Sequence, residues 1–253
     1  MKKKTKKGKI SAVPKPIVFC DFDGTVTQAD VTDNILEELA DPTWRDLEAQ
    51  WVQGLIGSKE CLERQMALVT TSTVELHKLI DAVPLDPGFK TFYKFTEARG
   101  LPFFILSDGF DYVIQRILRR AGANGELKNG RHLFTSSMHI EGKRLSVSFP
   151  HSTSECTHSC ATCKAALIKR LGSGYNPILF IGDGLSDRFA VEHSDVVFAK
   201  SQLLQYCRNK GIACREFETF SDIQDEVAAL LDALEQKGTA KSTPRSMRTL
   251  AAT

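Results

Sequence analysis

Three short apolar runs in this chain each end in an acidic turn. "IVFC" leads into "DFDG" (Ile17–Gly24), "FFIL" into "SDG" (Phe103–Gly109) and "ILFI" into "GDG" (Ile178–Gly184). A run of four apolar residues bounded by turn chemistry marks a strand buried on both faces. Such a strand needs cover on each side, and the segments between the runs have the apolar spacing of helices. Strands alternating with helices predict an α/β chain, a parallel sheet with helices on both faces. In such sheets ligands bind beyond the carboxyl ends of the strands, where the strand order switches direction. Asp21 with Asp23, Ser107 with Asp108, and Asp183 with Asp187 are all expected at that place.

One stretch breaks the alternation. From Val31 to Val83 the segments "VTDNILEELA", "WRDLEAQWVQGLI", "SKECLERQMALV" and "TSTVELHKLIDA" have helical spacing and few strand signals. Thr32 or Asp33, Ser58, and Ser72 or Thr73 are their expected N-caps. We read residues 31–83 as a helical insert and residues 15–30 with 84–237 as the core. The "PLDPGF" turn carries the chain back. Residues 1–14, with six lysines among the first nine residues, are expected to be a basic flexible tail, and residues 238–253 a disordered one.

Composition removes several function classes. No apolar stretch approaches the ~20 residues of a membrane span, and the basic start has no apolar region behind it of the secretory kind. The net charge of +2 owes much to the amino-terminal lysines, so no folded basic face for nucleic acid is expected. Seven cysteines in a chain of 253 residues are an odd number and do not suggest a disulfide scaffold; a reducing cytoplasm fits best.

The strand-end residues together suggest a chemistry. Asp21, Asp23 and Asp183 around one crevice would repel one another, and a hard divalent cation, Mg²⁺, relieves that with carboxylates, water and substrate phosphate. One carboxylate could attack phosphorus, and a second could protonate the leaving oxygen. Ser107 could hold a phosphate oxygen. Lys164, at the start of "KAALIKRLG", could supply positive charge to the phosphoryl oxygens.

In combination and order, "DFDGTVT", Ser107, Lys164 and "GDGLSD" resemble the four motifs of haloacid dehalogenase-type phosphatases. The resemblance spans Ile17 to about Glu235. It implies a Rossmann-like core with a helical cap inserted after the first motif. It makes Asp21 the nucleophile and Asp23 the general acid and base, whose backbone carbonyl also meets the metal. Thr25 shapes the motif turn and, with Ser107, Asp108 and Lys164, belongs to the substrate-binding set. Asp183 binds Mg²⁺, and Asp187 orients the metal site or ligates directly.

A cap of this size at this place resembles the phosphoserine phosphatase branch, with Asp30 standing where that branch has a glutamate. "DPGF", "SDGFDYVI", "CTHSCATCK" and "DVVFAKSQLLQYCRNKGIACREFETFSDI" are similar to the methionine-salvage phosphatases, which act on 2-hydroxy-3-keto-5-methylthiopentenyl-1-phosphate. The expectation is a cytoplasmic hydrolase of a small-molecule phosphate ester, monomeric or homodimeric, with no nucleic acid or membrane partner. The alternative is phosphoserine phosphatase or another small-metabolite phosphatase, and a non-catalytic phosphate-binding protein is the weakest reading. Trp44, Trp51, Arg64 and Met66 are cap candidates for substrate contact, although packing or surface position is the stronger reading for each. Cys156, His158, Cys160 and Cys163 could bind zinc or be redox-active, through a Cys160–Cys163 disulfide that strains the turn before Lys164. A loop of reduced thiols is the plainer reading.

Overall fold

The computed structural model describes residues 15–123, 127 and 131–240. Seven strands form one sheet: β1 (Ile17–Cys20), β2 (Phe103–Phe110), β3 (Leu133–Glu141), β4 (Arg144–Ser148), β5 (Ile178–Gly182), β6 (Val196–Ala199) and β7 (Arg215–Glu216). Their order is β4-β3-β2-β1-β5-β6-β7, and every pair is parallel except the β3–β4 hairpin at one edge. The chain leaves β1 toward β2 on one side and returns to β5 on the other. That switch opens a crevice above the end of β1.

Period-two alternation assigns the strand side chains to two layers. Val18 and Cys20 of β1 join Ile105, Leu179 and Ile181 in one core, with Phe89, Phe92 and Phe220. Ile17 and Phe19 point the other way, into a second core with Leu106, Phe180, Leu167 and Leu203. The helices α5 (Phe89–Ala98), α6 (Asp111–Arg120) and α9 (Phe220–Ala240) supply the first layer, and α7 (Lys164–Leu171) and α8 (Ser201–Lys210) the second. Helix α8 is an element that the sequence reading left unassigned between β6 and β7. Helix α9 continues to Ala240, past the expected boundary at 237, because its turns carry on through that segment. Residues 1–14 and 241–253, read as tails, lie outside the described residues.

Between β1 and β2 stand four helices, α1 (Val31–Leu39), α2 (Trp44–Val52), α3 (Ser58–Ala67) and α4 (Thr73–Ala82). Ser72 caps α4 in a reciprocal box with Glu75, as expected. The other two caps differ. Asp30, not Thr32 or Asp33, caps α1, because its Oδ1 accepts the Asp33 amide at 2.9 Å. Gly57 precedes α3, and the Ser58 hydroxyl is used elsewhere, accepting the Ala161 amide at 2.9 Å.

Two chain crossings link these helices to the sheet, and they pair with each other. Thr27 bridges Leu85, the Gln28 amide donates to the Pro84 carbonyl, and the Asp86 amide donates to the Val26 carbonyl. Asp86 is buried there, and its Oδ1 accepts the Gly88 amide at 2.8 Å and the Phe220 amide at 3.2 Å, tying α5 to the start of α9. Replacing Asp86 by Ala leaves two buried donors without this acceptor, so Asp86→Ala is expected to lower unfolding free energy by about 2–4 kcal/mol. Urea denaturation followed by circular dichroism measures this; a change within about 0.5 kcal/mol would refute the role.

Candidate active site

The floor of the crevice is a buried charge cluster. Asp21 follows β1 directly, and its amide donates to the Ile181 carbonyl of β5, which extends the ladder by one residue. Its Oδ1 accepts the Phe22 amide at 2.8 Å and the Lys164 ammonium at 2.8 Å. The same ammonium donates to Asp187 Oδ1 at 2.6 Å and to the Ser186 hydroxyl at 3.4 Å. Lys164 and Asp187 are both buried. Burial pushes the lysine's pKa down, but the carboxylates of Asp187 and Asp21 outweigh it and hold the ammonium well above its ordinary value.

Asp187 spends its second oxygen on the amides of Asp183 and Gly184, each at 3.2 Å. It therefore braces the turn after β5 from behind. Thr25 is buried and donates its hydroxyl to Asp183 Oδ1 at 2.7 Å. It is not among the residues lining the cavity, and its hydroxyl holds Asp183. Asp23 accepts the Val31 amide on Oδ1 at 3.2 Å and the Ser107 hydroxyl on Oδ2 at 3.4 Å. Asp108 accepts the Thr162 amide at 2.8 Å, which pins the loop ahead of Lys164 to the end of β2.

Above this floor a cavity of ≈ 250 Å³ is lined by Asp21, Asp23, Ser107, Asp108 and Asp183 below and by α1–α3 above. Of the cap candidates, Trp51 lines it. Trp44 and Met66 are packed in the core, and Arg64 pairs with Glu60 on the surface. Glu48 and Gln65 line the cavity without having been singled out, and Ser58 was expected only as a helix cap, since only the packing of α2 on α3 brings them there.

Two glycines owe their identity to the carboxylates. A Cβ on Gly109 would fall on the Asp23 carboxylate, and one on Gly24 would fall on that of Asp183. Gly24 also has φ +67°, in the left-handed region. The "SDG" and "DFDG" turns were the available sequence signal for both.

Asp21, Asp183 and Asp187 offer ligand atoms within 4.8 Å of one another, the only such group of three among the described residues. The donors are all carboxylate oxygens, partly or fully buried, which is the set a hard cation such as Mg²⁺ takes. The Asp23 carboxyl stands outside that group. Burial, and then the Asp21 charge, push Asp23 up to about 7 and Asp183 up to about 6. Burial and Asp21 raise Asp187 as well.

The cysteine run does not gather four ligands. The His158 ring lies flat on Phe189, centroids 3.6 Å apart, which draws the imidazole into that stack. Cys156, Cys160 and Cys163 are free thiols. Burial raises the Cys156 pKa, but the amides of Cys160 and His158, with smaller help from the neighbouring thiols, outweigh it and hold it below its ordinary value.

A sequence model of the haloacid dehalogenase-like hydrolase family matches residues 18–192. A 2-hydroxy-3-keto-5-methylthiopentenyl-1-phosphate phosphatase of Geobacillus kaustophilus is 30% identical, covering 83% of this chain and 94% of its own. One from Bacillus velezensis is 28% identical, covering 91% and 98%. Among solved structures, a phospho-aspartyl intermediate analogue of phosphoserine phosphatase superposes with a TM-score of 0.63 at 18% identity, covering 84% of this chain and 99% of that one. No helix among the described residues is long and apolar enough to cross a membrane.

The raised carboxyls set a stability profile. Between the ordinary value of 3.8 and the folded values of about 6 and about 7, the folded state binds more protons than the unfolded state. Linkage then lowers the stability of metal-free protein as pH rises through that window, with no further loss from these groups above it. The melting temperature in chelator is expected to be lower at about pH 8 than at about pH 5, and added Mg²⁺ to raise it more at the higher pH. Scanning fluorimetry checks both; a Mg²⁺ gain that is larger at low pH would contradict the assignment. Gly109→Ala is expected to displace Asp23 and cut kcat by roughly a hundredfold or more while the protein still folds. Steady-state kinetics beside a far-ultraviolet spectrum read the two effects separately.

Proposed function

The chain belongs to the haloacid dehalogenase-like hydrolase family and is a phosphatase, and on that premise we propose a Mg²⁺-dependent reaction through phosphorylated Asp21 with 2-hydroxy-3-keto-5-methylthiopentenyl-1-phosphate as substrate. The observation that carries the mechanism is the Lys164 ammonium between Asp21 and Asp187 at 2.8 and 2.6 Å, at the foot of the cavity. The substrate reading rests on the two relatives that carry that name and cover nearly all of their own length.

Asp21 attacks phosphorus with a carboxylate oxygen, and the bond from phosphorus to the ester oxygen breaks. Asp23, held by the Val31 amide and near Ser107, gives its proton to the departing oxygen. Its raised value suits that exchange, since a carboxyl near 7 is still partly protonated at neutral pH. Asp23 then takes a proton from water as the water oxygen attacks the phosphoaspartate. Inorganic phosphate leaves and Asp21 is restored. Lys164 orients Asp21, and with Ser107 it would stabilise the phosphoryl oxygens. Asp183, fixed by Thr25, and Asp21 would hold Mg²⁺, with Asp187 and the Asp23 backbone carbonyl supporting it. That ion would supply positive charge to the phosphoryl group. Residues 31–83 serve as the cap that excludes water.

Asp21→Asn is expected to abolish turnover of p-nitrophenyl phosphate and of the enol phosphate, and to eliminate acid-stable label on the protein after a quench from ³²P-labelled substrate. Asp23→Asn should keep some label but release it slowly, as the water step loses its base. Full turnover by Asp21→Asn would overturn the mechanism. A higher kcat/KM for phosphoserine than for the enol phosphate would overturn the substrate.

A further inference from the structure

The carboxylates do not stop at Asp23. Asp30, Asp33 and Glu48 line the same cavity from the side of the cap. They are close enough to act on one another's charge: Asp30 feels Asp23 and Asp33, and Glu48 feels Asp33. The wall is built, because Glu48 is held in place. Gln65, itself only 1% exposed, donates its side-chain amide to Glu48 Oε2 at 3.0 Å and to the Trp44 carbonyl at 3.4 Å. The Cys61 thiol donates to the same oxygen at 3.9 Å.

None of the described residues lining the cavity is lysine, arginine or histidine. The Lys164 ammonium lies below, committed to Asp21 and Asp187. Arg188, 5.9 Å from the Trp51 ring, donates to the Leu185 carbonyl and packs on Phe189. At the floor, the Lys164 ammonium and a cation held by the aspartates would offset the charge of a phosphate. At the cap, an anionic group would meet carboxylates with nothing to offset them.

We infer that Asp33 and Glu48 select substrate by charge: esters whose alcohol part carries a carboxylate are rejected. This rests on the phosphatase reading and narrows its substrate class. The enol phosphate proposed above carries no carboxylate and satisfies the rule. Phosphoserine, whose alcohol carries a carboxylate, does not.

The test uses the full chain with Mg²⁺ and reads competition against p-nitrophenyl phosphate hydrolysis. Two ester pairs each differ by one carboxylate: glycerol 1-phosphate against 3-phosphoglycerate, and phosphoethanolamine against phosphoserine. The carboxylate member is expected to compete at least about tenfold more weakly in each pair. Glu48→Gln combined with Asp33→Asn should shrink that ratio by at least about threefold, and because the readout is a ratio, any general loss of activity cancels. If the double variant does not fold, Glu48→Gln alone should shrink the ratio in the same direction. Equal competition within the pairs, a ratio unchanged in the variants, or no competition by any of the four esters overturns the inference. Failure of wild type to hydrolyse p-nitrophenyl phosphate is a separate result, which removes the phosphatase reading and this inference with it.

Discussion

A single buried ammonium holds the centre of this protein together. Lys164 sits between Asp21 and Asp187 with almost no solvent exposure, and both acids would otherwise be buried anions facing each other across the ends of β1 and β5. Burying either unpaired would be expensive. The lysine's own position is unfavourable in one respect. It is the first residue of α7, where the helix dipole already presents positive charge. The two carboxylates offset both the dipole and the desolvation. The pairing is therefore mutual, and removing the lysine leaves two uncompensated buried carboxylates.

That constraint reaches back through the loop that delivers Lys164. The Thr162 amide is held by Asp108 at the end of β2, and the Ala161 amide by Ser58 at the start of α3. The Lys59 amide donates to the Ser159 carbonyl beside it. A Cβ on Gly57 would fall on that same carbonyl, so the loop and the helix approach as closely as backbone allows. The position of Lys164 is thus shared between the sheet and the inserted helices.

Much of this was legible in the sequence, for identifiable reasons. Apolar runs of four residues can only be buried strands here, so β1, β2 and β5 and the acids that end them were readable directly. The helical period of residues 31–83 was equally plain, and α1–α4 occupy that range. Cap residues were harder, because competing partners decide them. Ser58 looks like an N-cap but gives its oxygen to Ala161, a residue about a hundred positions away in sequence. Thr25 looks like a phosphate contact but is turned to Asp183. Glu48 and Gln65 carry no local motif at all, and only the packing of α2 on α3 places them over the active site. The cysteine run could not be decided from composition: four good ligands lie close in sequence, and the stacking of His158 on Phe189 is set by a residue about thirty positions away.

The same contacts fasten the inserted helices to the core on both sides. On one side Arg116 of α6 makes a bidentate pair with Asp81 of α4, both bonds at 2.7 Å. His77 and Tyr112 hydrogen-bond at 2.6 Å, and Arg120 donates to the Val83 carbonyl. On the other, Ser58 and Lys59 bond the loop before Lys164, the Thr71 amide donates to the Lys143 carbonyl, and Thr70 bridges Arg144 of β4. The bonds from Ser58 and Lys59 thus serve two ends, because they hold α3 against the core and fix the loop that carries Lys164.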